Sequence, residues 1–164
     1  MTRESKKRMV DVHFSSESNE WGTPQDLYNE LDEQYEFTLD PCATKENAKC
    51  DKYYTKEDDG LLQDWRDEVV FMNPPYGREI SKWIEKAYAE SLHGDCIVVC
   101  LIPSRTDTKY WHDFIFSKAH KIMFIKGRLK FSGHKNSAPF PSAIVVFDGM
   151  ACGGSYIGAY ESQM

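Results

Sequence analysis

Between Phe114 and Phe147 the chain contains no aspartate and no glutamate. An overall charge of −6 would by itself argue against a polyanionic partner. The acid-free stretch changes that reading, because it holds Lys118, Lys121, Lys126, Arg128, Lys130 and Lys135. It carries +6, which leaves −12 on the remainder. Charge blocked in this way either decorates a solvated surface or faces phosphates. Phe131, His134 and Phe140 interleave with the cations, a pattern that favours nucleic acid.

Other absences narrow the class further. No apolar run reaches membrane-spanning length, and the basic N-terminus is not followed by the apolar core of a secretory signal. The five cysteines are odd in number and lack Cys-x-x-Cys spacing, and the five histidines are scattered. A disulfide framework and a metal site are therefore not expected, and a reducing cytoplasm is. There are no repeats or low-complexity tracts. At 164 residues one core can form, with no room for a sizeable second module. Residues 1–20 read as a flexible polar leader with a basic cluster from Arg3 to Arg8, and 21–164 as a single domain. The expected state is a monomer or weak dimer.

The most informative residues are Asn73-Pro74-Pro75-Tyr76, between the apolar run Val69–Met72 and a helical pattern. At average residue usage the tetrapeptide arises by chance in roughly one chain in a thousand of this length. It suits methyl transfer to an exocyclic amine. Such a nitrogen is a poor nucleophile while its lone pair is delocalised into a ring. Two acceptors on its N–H bonds, the Asn73 side-chain oxygen and the Pro74 carbonyl, would draw it toward tetrahedral geometry. Pro74 and Pro75 fix φ and force extended geometry on the preceding residues, so the acceptors are held still. The Tyr76 ring can stack on a flat base. The bland alternative is a stiff turn.

The chain from Trp21 to Phe147 resembles the phage-type Dam family of DNA N6-adenine methyltransferases. The residues that carry this are Trp21-Gly22-Thr23-Pro24, Phe37-Thr38-Leu39-Asp40-Pro41-Cys42-Ala43, Asp59-Gly60-Leu61 with Trp65, the Asn-Pro-Pro-Tyr box, Leu101 to Thr108, Gly127 to Phe131, and Ala138 to Ala143. The resemblance implies S-adenosylmethionine as methyl donor, double-stranded DNA as substrate, and adenine, usually within GATC, as target. It places Trp21, Thr23, Pro24, Asp40, Pro41, Ala43 and Asp59 at the cofactor. It places Phe131, with Phe140 in reserve, against the base, while the acid-free stretch points to Lys126, Arg128 and Lys130, with Arg105 beside them, as the residues at the DNA. Two rivals stay open: methylation of a protein glutamine, which also uses Asn-Pro-Pro-Tyr, and a binding module without catalysis.

The implied fold is a three-layer, Rossmann-like α/β sheet, mostly parallel, with an antiparallel strand near the C-terminus. Thr23 and Pro24 suit the start of a helix carrying Leu27, Leu31 and Tyr35 on one face, so Thr-Pro is open to a capping role alone. Strands are expected at Phe37–Asp40, Tyr53–Tyr54, Val69–Met72, Cys96–Ile102, Lys121–Ile125 and Ser142–Phe147, with an optional edge strand at Tyr156–Tyr160. Helices are expected from Ile80 to Ser91 and from Asp107 to Ser117. Only about twenty residues separate Asp40 from Asp59, too few for the usual helix and strand, so the cofactor half should be shortened. No glycine-rich turn follows Asp40. Asp59 reads equally as a cofactor contact or a solvated turn, and Phe131 and Phe140 as base contacts or core.

Overall fold

The computed structural model describes residues 20–162, so the Arg3–Arg8 cluster lies outside the described residues. Among the described residues, seven strands form one sheet: β1 Leu39–Asp40, β2 Lys52–Tyr53, β3 Val69–Met72, β4 Ile97–Pro103, β5 Lys121–Phe124, β6 Ser142–Asp148 and β7 Tyr156–Ala159. Their order is β2-β1-β3-β4-β6-β5-β7. Only β6 is reversed, pairing antiparallel with both β4 and β5, while the other neighbours run parallel. β4 and β6 are buried over nearly their whole length, as apolar runs covered on both faces require.

Register shows which helix covers which face. Val70, Val98 and Phe147 are partners across β3, β4 and β6, so their side chains share a face. Phe147 packs against Tyr88 of helix α2, Ile80–Ser91. Phe71 points the opposite way and meets Tyr28 of helix α1, Gln25–Tyr35, edge-on at 5.2 Å. The two helices therefore lie on opposite faces, the three-layer arrangement. Each obeys its apolar period: Leu27, Tyr28 and Leu31 are buried on α1, and Ile80, Trp83, Ile84, Ala87 and Ser91 on α2. Fully buried side chains such as Phe71, Ile84 and Phe147 each contribute about 1.5–3 kcal/mol.

Several local expectations need correction. Pro24, not Thr23, occupies the N-cap of α1, and no side chain caps that helix, because the Thr23 hydroxyl is engaged by Asn73. The first strand is only Leu39–Asp40, and the second begins one residue early at Lys52. No helix separates them, so the cofactor half is indeed shortened. Within the expected Asp107–Ser117 helix, Trp111–Ile115 is π-helical, with the Phe116 N–H reaching the Trp111 carbonyl. There the Trp111 indole donates to the Pro103 carbonyl and its ring stacks on Phe124. Trp111 is thus tied to the ends of two strands, and the turn widens.

Candidate active site

Strand direction gathers the motifs on one edge of the sheet. β1, β3, β4 and β5 all run the same way. Their carboxyl ends therefore present Asp40, Asn73, Ser104-Arg105 and the 125–141 loop together. The chain goes outward from β1 to β2 and then returns on the other side of β1 to form β3. Asp40 and Asn73 thus flank a topological switch point, where open α/β sheets bind ligands.

At that crevice the Cys42 thiol donates to the Asn73 backbone carbonyl at 3.3 Å and joins the two strand ends. Burial pushes the Cys42 thiol well above its usual pKa, so it stays a neutral donor. Asp40 is buried, and its carboxylate accepts from the Lys49 and Cys42 backbone N–H groups at 3.1 and 3.4 Å. Burial raises its pKa, and the two N–H bonds oppose that rise. Asp40 therefore organises the Pro41–Lys49 loop. Pro41 and Ala43 are buried within it, and the Ala43 N–H bonds to the Tyr54 carbonyl.

Asp59 is brought to the same place. It adopts a left-handed conformation at φ 55° and accepts from the Leu61 N–H, opening the 3-10 turn Gly60–Leu62. A Cβ on Gly60 would fall 2.0 Å from the Pro41 carbonyl oxygen, so only glycine permits this approach. The buried Trp65 holds the Gly60 carbonyl through its indole N–H at 3.0 Å. Asp59 is thus both a turn residue and a neighbour of the crevice.

Asn73 is fixed through its amide nitrogen. Nδ2 donates to the Trp21 carbonyl at 2.5 Å and to the Thr23 hydroxyl oxygen at 2.9 Å. A backbone carbonyl can only accept, so the amide orientation is determined. Oδ1 is then left buried and without a hydrogen-bond partner among the described residues. Such an atom costs about 1–3 kcal/mol unless something donates to it.

Tyr76 sits deeper. It is 2% exposed, its hydroxyl donates to the Leu101 carbonyl at 3.0 Å, and its ring meets Phe140 and Phe131 edge-on. Both phenylalanines are buried, and Trp21 packs edge-on to each. Arg105 is exposed, with its guanidinium over the Phe140 ring. The sequence offers these rings as base contacts or as core, and in this structure they pack on one another beside Asn73.

The six cations of the acid-free stretch divide. Lys126, Arg128, Lys130 and Lys135 are exposed in the loop that leaves β5 at the Asn73 edge. Lys118 and Lys121 precede or begin β5 at the far end, and Lys118 lies over the Tyr88 and Phe114 rings. The acid-free stretch therefore brings four of its six cations to the Asn73 edge. Contacts that sequence reasoning missed tie this loop to Trp21–Thr23. The Ser132 N–H bonds to the Gly22 carbonyl, the Ser132 hydroxyl donates to the Thr23 carbonyl, and His134 stacks on Trp21 at 4.2 Å. Partners more than a hundred residues apart leave no periodic signal in the chain.

A mostly parallel sheet with one reversed strand, a strand-end aspartate and an adjacent Asn-Pro-Pro-Tyr box defines a Rossmann-like methyltransferase. Comparison with known proteins narrows the class. Residues 13–149 match the family model for DNA N-6-adenine-methyltransferase (Dam). The chain is 28% identical over 155 residues to the DNA N-6-adenine-methyltransferase of Haemophilus phage HP1, covering 90% of this chain and 88% of that one. It is 31% identical over 111 residues to the DNA N-6-adenine-methyltransferase of Escherichia phage T1, covering 66% of this chain and 45% of that one. The chain belongs to the phage-type Dam family of adenine-specific DNA methyltransferases. Among the described residues, no helix is long and apolar enough to cross a membrane.

Proposed function

We propose that the protein transfers the methyl group of S-adenosylmethionine to N6 of an adenine turned out of double-stranded DNA and brought to Asn73. The observation that carries this reading is the orphaned, buried Asn73 Oδ1 beside an amide nitrogen already bound twice. It wants an N–H donor, and the adenine amine is one. With Asn73 Oδ1 on one N–H and the Pro74 carbonyl on the other, the lone pair localises toward the incoming methyl. Pro74 and Pro75 hold the acceptors, and the N6 proton leaves to solvent.

The chain's own residues fit the cofactor. α1 begins beside Asn73 with no side-chain cap, so its first N–H groups are available to a carboxylate. The Asp40–Ala43 loop and Asp59 meet beside the switch point, and Trp21 and Pro24, on either side of the Gly22-Thr23 pair that adjoins Asn73, are the further candidate cofactor contacts. S-adenosylmethionine, when bound there, supplies an electrophilic methyl on a sulfonium. Extruding the base costs a few kcal/mol of unstacking. Tyr76, Phe131 and Phe140 pack edge-on beside Asn73, so a ring face meets the base only when this cluster opens, and Arg105, Lys126, Arg128 and Lys130 meet the phosphates.

The test is methylation of a defined plasmid by the purified protein with labelled S-adenosylmethionine. Digestion with methylation-sensitive restriction enzymes and nucleoside analysis then identify the product. N6-methyladenine is the expected outcome. Label on a protein glutamine, or on no acceptor, would overturn the proposal.

A further inference from the structure

We infer that Thr23 is a positioning residue whose hydroxyl holds the Asn73 amide in the orientation that the Trp21 carbonyl fixes, and that it acts on catalysis through Asn73. This rests on the function proposed above and adds to it a role for a side chain that the sequence offers only as a cap or a cofactor contact.

Three observations converge. Pro24 is the N-cap of α1 and no side chain caps that helix, so the Thr23 hydroxyl does not serve it. Thr23 is buried, and its Oγ1 accepts from Asn73 Nδ2 at 2.9 Å across fifty residues of chain. The opposite atom of the same amide, Oδ1, is the buried acceptor left without a partner. A side-chain amide rotates about its last torsion through a broad, roughly two-fold profile. Turned over, Asn73 would offer N–H groups to the substrate amine and polarise it the wrong way. The Trp21 carbonyl, which can only accept, prevents that inversion, and the second bond, to the Thr23 hydroxyl, holds the amide plane in place.

The segment that supplies both acceptors is itself held. Ser132 bonds to the Gly22 and Thr23 carbonyls, and a Cβ on Gly22 would lie 3.1 Å from the Ser132 Cβ. The basic loop thereby braces the residues that orient the amide.

The test compares Thr23→Val, which keeps the shape and removes the acceptor, with Thr23→Ser, which keeps the acceptor. Thr23→Val should lower kcat about tenfold, the scale of one lost hydrogen bond, with the Kd for S-adenosylmethionine and the KM for DNA unchanged. Thr23→Ser should stay within about twofold of the parent. In an Asn73→Ala background, Thr23→Val should produce no further loss, since the two act as a unit. The Asn73 side-chain amide signals in a ¹⁵N–¹H spectrum should move in Thr23→Val and return in Thr23→Ser. Unmoved amide signals, additive losses in the double variant, or a loss confined to cofactor Kd would each overturn the inference. Full turnover in Asn73→Ala alone would instead defeat the functional reading, and the amide signals would still decide the orientation.

Discussion

Gly60 approaches Pro41 so closely that a single methyl group on it would overlap the Pro41 carbonyl oxygen. The Trp65 indole holds the Gly60 carbonyl from the other side, so the turn cannot simply move away. Gly60→Ala should therefore destabilise the protein by about 1–3 kcal/mol, as overpacking of a close-packed interior does. It should also weaken S-adenosylmethionine binding, because Pro41 and Asp59 shift together. Chemical denaturation and calorimetry check the two effects, and an unchanged midpoint would mean that the turn yields at no cost.

Asn73→Ala tests the centre of the site. Removing the orphaned acceptor should lower turnover roughly a hundredfold or more, the scale for one preorganised transition-state group. Affinity for S-adenosylmethionine should hold, because Asn73 faces the acceptor amine in the proposed reaction. Single-turnover methylation alongside a binding isotherm separates these quantities. Near-parental turnover would remove the Asn-Pro-Pro-Tyr box from the mechanism.

Much of the frame was legible from periodicity. Ile80, Trp83, Ile84 and Ala87 mark α2, and the unbroken apolar runs of β3 and β4 mark strands buried on both faces. The shortened half could be read from the spacing of Asp40 and Asp59. What stayed hidden depends on contacts between distant residues. Thr23 looks like a cap until Asn73, fifty residues on, takes its hydroxyl. The acid-free stretch looks like one basic face until strand direction sends Lys118 and Lys121 to the other end of the sheet. The π-helical turn at Trp111 answers to Pro103 and Phe124, which no helical period announces.

Tyr76 illustrates the same limit and yields its own prediction. Its hydroxyl is bonded to the Leu101 carbonyl and its ring is packed among Phe131 and Phe140. Tyr76→Phe should cost about 1 kcal/mol of stability for the lost hydrogen bond, with most activity retained. Tyr76→Ala should cost about 3–5 kcal/mol through the cavity it leaves. If the ring also stacks on an extruded base, 2-aminopurine at the target should brighten more with Tyr76→Ala than with the parent protein, both saturated with DNA. Equal signals from folded samples would assign Tyr76 to packing and move the stacking role to Phe131.

Asp40 gives a pH dependence whose sign follows from its burial. Its folded pKa is raised above the ordinary carboxylate value by desolvation. Well above the folded pKa, the buried charge costs stability in full. As pH falls through the folded pKa the native state takes up a proton before the unfolded chain does, so that cost is relieved. The relief is complete below the unfolded value. Asp40→Asn does not titrate, so the stability of the parent relative to this variant should rise between pH 7 and pH 4. Urea denaturation of both proteins across that range measures the difference. A parent that loses ground to Asp40→Asn on acidification would mean that the Lys49 and Cys42 N–H bonds outweigh burial.

The basic loop is the part of the proposal most open to a direct measurement of charge. Lys126, Arg128 and Lys130 are exposed on the edge of the sheet that carries Asn73, whereas Lys118 lies against the Tyr88 and Phe114 rings on the α2 face. Each contact to a phosphate releases condensed counterions, so each cation that binds DNA adds about one unit to the slope of log K against log salt. Replacing Lys126, Arg128 and Lys130 with glutamine should weaken duplex binding and flatten that slope by about three units if all three touch phosphate. Lys118→Gln is the matched control and should leave the slope unchanged, at a small cost in stability from its lost ring contacts. Equal slopes for the parent and the triple variant would mean that the loop does not meet the DNA. The duplex would then have to be held elsewhere on this edge, with Arg105 over the Phe140 ring the next cation to change.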